Sequence, residues 1–587
     1  MNESETASAG GKNYADFSRD ELIAEIKRLN KYKKYGLVWE QKTEKVIADF
    51  LNHYLYLEED ASRRIINSDE NKENLIIEGD NFDSLSILSY THVEKIDVIY
   101  IDPPYNTGNK DFVYNDDYVD IEDSFRHSKW LSFMEPRLKL AKNLLNSNGF
   151  ICISIDENEL FALKLLMDDI FGSANYIGCA PRKGRGAATT KGTAELQTLN
   201  DYLLIYAKNK TELILQKKVI GKRTYPYKDE RGEYYIVPLQ DNGPHGTREA
   251  RPNLWYPIYV LNDNTLTYEE PEQYKEKILP KMHQNKEGRW MWSKKKFDTD
   301  SGDLLAKNGV VYIKHYYKEG EDQNKYQYEK LWFDDSWLDD SKLLNARGTK
   351  TLANVLGYRS AFSNPKPVEL VKWCIKLSTN KNATVLDFFA GSGTTGQAVM
   401  ELNAEDGGHR QFILCTNNGD KGENSVKIAE DVTYVRNKIV ITGTRKDGSK
   451  YSEGLPENLR YYKVEYLDKA PTIDQNCERA APYLSDILQL KENNFNLVAE
   501  GEDYNIFFNG DNYLVLILNT FSQEKAIDKL KEMNKNLLPA KVYTFSYSRD
   551  SLEEDYELNF DIEFHSMPVD YLRSHKKIED EIMRSRQ

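Results

Sequence analysis

Lys95-Ile96-Asp97-Val98-Ile99-Tyr100-Ile101-Asp102-Pro103-Pro104-Tyr105-Asn106-Thr107-Gly108 is the stretch on which the reading of this chain turns. Ile96 to Ile101 is short, apolar and β-branched, as a buried strand of a parallel sheet must be. It stops at Asp102-Pro103-Pro104-Tyr105. Two prolines fix φ and withdraw two backbone donors, so the strand cannot continue and a stiff loop begins. Ligands of open α/β sheets bind just beyond the carboxyl ends of strands, which is where this loop falls. A carboxylate, carbonyls of fixed direction and an aromatic ring could accept hydrogen bonds from an exocyclic amine and stack on a planar base. An Asp-Pro turn that merely ends a strand accounts for the four residues about as well, because so short a motif recurs by chance.

Upstream, Asn74 to Leu85 reads as a strand, a Gly79-Asp80 turn and the start of a helix. Asp80 and Asn81 could bind an adenine amine or ribose hydroxyls, although helix N-capping is the commoner use of Asp there. Downstream follow a helix from Phe125 to Leu145, a buried strand from Gly149 to Ile155, a helix from Glu157 to Phe171 and a strand from Asp201 to Ala207. Strands alternating with helices predict right-handed βαβ units and a mainly parallel sheet. Before all this, Ser18 to about Tyr35 reads as a helix with a Ser18/Glu21 capping box. A second helix is expected from Lys42 to about Leu57, giving an appended helical arm outside any sheet.

From about Asn209 to Leu344 periodicity is poor, and cations interleave with aromatics in Arg251-Pro252-Asn253-Leu254-Trp255 and Arg289-Trp290-Met291-Trp292-Ser293-Lys294-Lys295-Lys296-Phe297. Such interleaving suits phosphate contact and base stacking. Most of the aromatics are expected to fill the insert's own core, leaving part of the Lys/Arg set for a polyanion. The α/β rhythm then returns: Asn364-Pro365-Lys366-Pro367 starts a helix, and Thr384 to Val399 is a strand, a glycine turn and a helix. The turn, Asp387-Phe388-Phe389-Ala390-Gly391-Ser392-Gly393, lets a ligand approach the backbone at a helix N-terminus. It lacks the lysine of a phosphate-transfer loop, which disfavours a nucleotidase.

At 587 residues the chain is too long for one compact core. An apolar fraction of 40% supports folding throughout, apart from a polar tail, Met1 to about Tyr14, that reads as disordered. The five cysteines have no metal-ligand spacing, so no metal is expected. The lack of a signal pattern or membrane-length apolar run points to the cytoplasm. The net charge of −15 argues weakly against nucleic acid, but residues 451–587 hold 26 acidic against 16 basic residues, a net −10, so the other 450 residues carry only −5. Local basic patches can still meet phosphate.

Gly79-Asp80-Asn81, then Asp102-Pro103-Pro104-Tyr105, then Asp387 to Gly393 resembles the circularly permuted motif order of the β-class DNA amino-methyltransferases. The match is most similar to the modification (Mod) subunits of type III restriction–modification systems, supported by Lys34 to Glu40, Asn106-Thr107-Gly108, Arg251 to Leu254, Asn364 to Pro367 and Asp431-Val432-Thr433-Tyr434. The resemblance implies a Rossmann-like α/β sheet with an inserted target-recognition domain. Its expected divisions are a helical arm (1–70), a catalytic half (71–208), the insert (209–344), a cofactor half (345–450) and an acidic C-terminal domain for dimer or partner binding (451–587).

It also implies S-adenosylmethionine as donor and adenine N6 of double-stranded DNA as acceptor, with cytosine N4 chemically equivalent. Asp102 and the Pro103 carbonyl would grip the amine of a flipped base, Pro104 would stiffen the loop and Tyr105 would stack. Asp387, Phe388, Phe389, Gly391, Ser392 and Gly393 would form the methionine-side pocket, Asp80 and Asn81 would meet the adenosine, and Lys366 the cofactor carboxylate. Arg251, Arg289, Lys294, Lys295 and Lys296 are candidate DNA contacts. A homodimer and a separate ATP-dependent restriction (Res) subunit are the implied partners. Where many methyltransferases carry a ribose-binding acid, this chain has Thr416-Asn417-Asn418, so neutral amides or Asp80 must serve. A stand-alone enzyme, an RNA methyltransferase and an inactive DNA-binding module remain open alternatives.

Overall fold

The computed structural model describes residues 18–19, 22–23, 39–68, 72–108, 111–115, 117–184, 199–243, 245–283, 285–328, 343–360, 362–419, 426–546 and 559–585. The expected polar tail and most of the Ser18–Tyr35 helix lie outside the described residues. The chain forms two compact units, Met1–Gln216 with Lys330–Gln587, and Lys217–Glu329.

The larger unit is built on nine strands: β1 (His53–Glu59), β2 (Glu73–Glu78), β3 (Ile96–Ile101), β4 (Leu145–Ile155), β5 (Tyr176–Lys183), β6 (Asn200–Ala207), β7 (Thr384–Asp387), β8 (Gln411–Thr416) and β9 (Asn458–Asp468). Their order is β1-β9-β2-β8-β7-β3-β4-β6-β5. The run from β9 through β4 is parallel, while β1 and β6 run against it. Side chains alternate between the faces, as a period of two requires. Ile99, Ile101, Ile151 and Leu386 face a layer containing Leu131, Met134 and Leu138 of α3 (Arg126–Leu144). Val98, Tyr100, Phe150 and Val385 face the opposite layer, with Val371, Cys374 and Val399 of α6 (Val368–Lys376) and α7 (Thr394–Asp406). Each such fully buried Ile, Leu or Val contributes roughly 1.5–3 kcal/mol of transfer free energy.

The strand order places the site. From β3 the chain moves outward to β4, and from β7 it moves the other way to β8, so the loops leaving these two neighbours diverge. That is a topological switch point, the place where open α/β sheets leave a crevice. The Asp102 and Gly391 loops, some 280 positions apart in sequence, meet there as the carboxyl ends of paired strands.

Three expectations are corrected. The second N-terminal helix, α1 (Lys45–Asn52), is short and gives way to β1, which pairs antiparallel with β9. His53-Tyr54-Leu55-Tyr56-Leu57 alternates, burying Leu55 and Leu57, and that period of two prevails over the helical reading. The sheet also continues past 451: β9 pairs with β2, and only the five strands Leu497–Glu500, Tyr504–Phe508, Tyr513–Ile517, Ala540–Thr544 and Ile562–Ser566 form a sheet of their own. The C-terminal helix Met567–Ser585 returns to the N-terminal segment, where His575 stacks on Phe50 at 4.0 Å. Finally, 209–216 belongs to the larger unit, because Leu213 and Leu215 pack against its core. The smaller unit has its own core around Tyr256, Ile258, Trp290, Phe297 and Val311.

Candidate active site

Ile101 ends β3 fully buried, and the next residue, Asp102, turns its carboxylate to Lys366 Nζ at 2.8 Å. The same ammonium lies 4.6 Å from the centroid of the Tyr105 ring. Lys366 reaches this point on Asn364-Pro365-Lys366-Pro367, which is pressed against α5 (Asn345–Leu356). A Cβ on Gly348 of α5 would stand 1.9 Å from the Pro365 carbonyl oxygen, so only glycine allows the approach. Lys366 was expected at a cofactor carboxylate; the structure pairs it with the carboxylate of the proline loop. Behind that loop, Trp130 of α3 donates from Nε1 to the Pro104 carbonyl at 2.7 Å. Asn106 adopts φ +58° and donates from Nδ2 to Glu159 Oε1 at 2.5 Å.

The Tyr105 hydroxyl is buried and, among the described residues, has no hydrogen-bond partner. Burial, followed by the Asp102 charge, holds the Tyr105 hydroxyl well above its ordinary pKa, so the ring stays neutral.

On the neighbouring strand, Asp387 sits 3% exposed, accepting from Thr395 Oγ1 at 2.5 Å and from the Phe389 N–H at 3.0 Å. Burial, with a smaller push from the Asp102 charge, raises its pKa to about 7. Gly391 (φ +46°) and Gly393 (φ +72°) carry the turn into α7. A Cβ at Gly391 would meet the Phe362 ring at 2.8 Å, and one at Gly393 would meet Asn437 Nδ2 at 2.5 Å. The turn is held from outside: Thr433 Oγ1 donates to the Gly391 carbonyl at 2.5 Å. Fully buried Arg436, at the start of α8 (Val435–Thr442), donates to Thr394 Oγ1 at 2.7 Å, to Ser392 Oγ at 3.1 Å and to Gln397 Oε1 at 2.9 Å. Burial pushes its guanidinium down to about 10. Phe388 is in the core, and half-buried Phe389 packs on Phe133, ring centroids 5.9 Å apart.

Asp80 is the N-cap of α2 (Asn81–Thr91), accepting from the Phe82 N–H at 2.7 Å, and is ion-paired to Arg137 at 3.0 Å. Asn81 Oδ1 accepts from Arg137 Nε as well, and Glu44 completes the network with both carboxylate oxygens. Both residues therefore already have structural duties. Glu78, at the end of β2, accepts from Asn418 Nδ2 at 2.5 Å and from Tyr461 Oη at 2.6 Å, so an acid does border the amide run after β8.

In the smaller unit, Arg289 is buried, ion-paired to Asp241 at 2.5 Å and bonded to the His245 carbonyl at 2.8 Å, and so is committed to its own fold instead of phosphate. Arg251 is exposed. Lys294, Lys295 and Lys296 open the helix Lys294–Asp300, exposed, with Lys296 paired to Asp300 at 2.7 Å. Trp290 and Trp292 are core residues, linked to Tyr256 by hydrogen bonds of 2.8 and 3.0 Å.

Sequence reading missed Trp130, Glu159, Arg137 and Arg436. Each acts on a loop more than twenty residues away, and nothing local marks it.

The family described as DNA methylase, of N6 and N4 specificity, matches residues 96–431. The chain is 37% identical to the type II methyltransferase M.KpnI of Klebsiella pneumoniae over 58% of this chain and 79% of that protein. It is 32% identical to the EcoPI Mod subunit of Escherichia phage P1, a type III restriction-modification enzyme, over 68% of this chain and 66% of that one. Against the type III EcoP15I Mod subunit of Escherichia coli the identity is 31%, over 65% and 64%. The chain thus spans somewhat under two thirds of the length of these Mod subunits.

Proposed function

The chain belongs to the N6/N4 DNA methylase family, and from that premise we propose that it methylates adenine N6 within a short duplex DNA sequence as the modification subunit of a type III restriction–modification system. The observation that carries this reading is the meeting of Asp102-Pro103-Pro104-Tyr105 and the Gly391–Gly393 turn at the ends of paired strands. S-adenosylmethionine fits the second loop: a glycine turn without a phosphate-binding lysine opens a thirteen-residue helix. On the proline loop, the buried Tyr105 hydroxyl has no hydrogen-bond partner among the described residues. Asp387, Phe389 and the Gly391–Gly393 backbone would hold the donor, which when bound supplies an electrophilic sulfonium methyl group.

The chain's own residues supply the rest. An exocyclic amine is a poor nucleophile, because its lone pair is delocalised into the ring. The Asp102 carboxylate and the Pro103 carbonyl accept its two N–H hydrogens and favour a tetrahedral nitrogen. The Pro104 carbonyl is already engaged by Trp130, which leaves the loop's geometry fixed. Lys366 aligns the Asp102 carboxylate while lying near the Tyr105 ring. Tyr105 stacks on the extruded base, offsetting part of the few kcal/mol that flipping costs. Transfer would form one N–C bond as the donor's S–C bond breaks with its electron pair left on sulfur, and the amine would give up one N–H proton, which the Asp102 carboxylate would accept.

Adenine in preference to cytosine follows from the likeness to the Mod subunits, as do a homodimer, a Res partner and a cytoplasmic setting. The acidic 451–587 segment, net −10, suits a protein partner better than DNA. The likeness to M.KpnI favours a second reading, a self-sufficient enzyme without a restriction subunit. Labelled S-adenosylmethionine with duplex DNA, followed by nucleoside mass spectrometry, tests the reaction, and N6-methyladenine is expected. N4-methylcytosine would change the base, label in RNA alone would overturn the substrate, and cofactor binding without transfer would leave a binding module. Light scattering tests the dimer.

A further inference from the structure

We propose that Glu159 and Asn106 form a positioning pair that sets the catalytic loop from behind, so that turnover depends on a side chain that touches neither base nor cofactor. This rests on the methyltransferase reading of Asp102 to Tyr105. Glu159 stands at the N-cap position of α4 (Leu160–Met167), just after β4, without bonding the helix through its side chain, which is fully buried. Burying a carboxylate costs several kcal/mol unless it is well bonded. Here its main partners are two: Asn106 Nδ2 at 2.5 Å and His127 Nδ1 at 2.7 Å, both on Oε1.

Asn106 supplies the reason. It follows Tyr105 directly, in the left-handed region at φ +58°, which few residues other than Gly, Asn and Asp tolerate. Its Nδ2 group is used twice, toward Glu159 and toward the Arg126 carbonyl at 3.2 Å. One turn along α3 from Arg126, Trp130 holds the Pro104 carbonyl. The loop is therefore pinned at Pro104 and at Asn106, on either side of Tyr105. Release of the Asn106 pin frees the backbone to leave φ +58°, and Tyr105 and the Pro103 carbonyl move with it. A displacement of about 1 Å in a positioned group can cost on the order of 100-fold in rate.

The test uses the full-length protein and four variants: Glu159→Ala, Glu159→Gln, Asn106→Ala and the double Glu159→Ala/Asn106→Ala. Amide hydrogen exchange of the peptide covering residues 102–108 gives a readout independent of activity. Protection there falls at least about tenfold in both alanine variants while the sheet is unchanged. On DNA, kcat falls on the order of 30-fold in each, with the KM for S-adenosylmethionine held within about twofold. The double is no slower than either single, because both remove one interaction. Glu159→Gln, which keeps an acceptor for Asn106, recovers most of the loss in both readouts. Additive losses, or wild-type loop protection and kcat in Asn106→Ala, would overturn the pair. If Glu159→Ala fails to fold, Asn106→Ala and Glu159→Gln still decide. Changed loop protection with no transfer to DNA by the wild type would sink the methyltransferase reading and leave the pair standing.

Discussion

The loops after β3 and β7 begin alike and are held differently. An aspartate marks the end of each paired strand, Asp102 just past the last residue of β3 and Asp387 as the last residue of β7. Asp102 is partly exposed and faces the Lys366 ammonium at 2.8 Å. Asp387 is buried, accepts only neutral donors, and has its pKa raised to about 7. The first loop is stiff through its own prolines and pinned by side chains from α3 and α4. The second is made of small residues and held by Thr433, Arg436 and Asn437. The contrast separates a charged working carboxylate from a buried one that braces a turn. Mutations should sort accordingly.

The largest effect is expected at Asp102. Asp102→Ala removes an acceptor in the transition state, and methyl transfer should fall by about 10³-fold or more. Cofactor affinity should stay within a few-fold by calorimetry, because the other loop is untouched. Normal turnover in this variant would erase the distinction between the two aspartates.

Asp387 should instead report on stability. Its folded pKa is raised from 3.8 to about 7, so the folded state holds a proton that the unfolded state releases. The associated stability is fully present below about pH 4 and is lost as pH rises toward 7. At about 1.4 kcal/mol per unit, the loss is on the order of 4 kcal/mol. Asp387→Asn removes the charge, and the Thr395 hydroxyl can turn to suit the amide. Without cofactor, the variant should gain on the wild type between pH 4 and 8 in urea unfolding. The Asp102 charge contributes to the shift, so Asp102→Asn should narrow the gap slightly. A pH-independent difference would mean that Asp387 is ionised throughout.

Gly391 comes next. The sequence suggests that a side chain here would occupy ligand space, whereas the structure puts the added Cβ 2.8 Å from the Phe362 ring. A valine at φ +46° also costs about 1–3 kcal/mol in backbone strain. Gly391→Val should weaken cofactor binding by on the order of 100-fold, each tenfold being about 1.4 kcal/mol. Adding Phe362→Ala should recover part of that by relieving the contact. No recovery would return the clash to the cofactor.

The two loops also differ in how far they could be read without a structure. Asp102-Pro103-Pro104-Tyr105 announces itself, because prolines after a β-branched run leave few conformations. The glycine turn was likewise visible, and so was its place in the same sheet. What stayed hidden is what holds them. Lys366 was assigned to the cofactor side, since nothing local shows that Gly348 lets its segment approach Asp102. Trp130, Glu159 and Arg436 look like ordinary helix residues until the sheet order brings their helices beside the loops. At the edges, His53 to Leu57 reads as helix because it continues an amphipathic one, and Asn458 to Asp468 reads as part of a separate domain. His53 to Glu59 forms a strand by pairing with β9, and Asn458 to Asp468 by pairing with both β1 and β2.

The smallest effect concerns the cations of the smaller unit, where a like contrast recurs. Arg289 is buried and paired to Asp241, whereas Lys294, Lys295 and Lys296 are exposed at the start of a helix. Each phosphate contact steepens the dependence of log affinity on log salt by about 0.9. Three free lysines would together contribute nearly 3, but Lys296 has Asp300 at 2.7 Å as a competing partner. Replacing all three by alanine should therefore reduce the slope by about 2, weakening binding about equally across DNA sequences. Arg289→Ala should leave the slope alone and lower thermal stability, since it strands Asp241 and frees the His245 carbonyl. An Arg289 effect on slope, or a lysine effect on stability, would invert the assignment of which cations this unit spends on itself and which it offers to DNA.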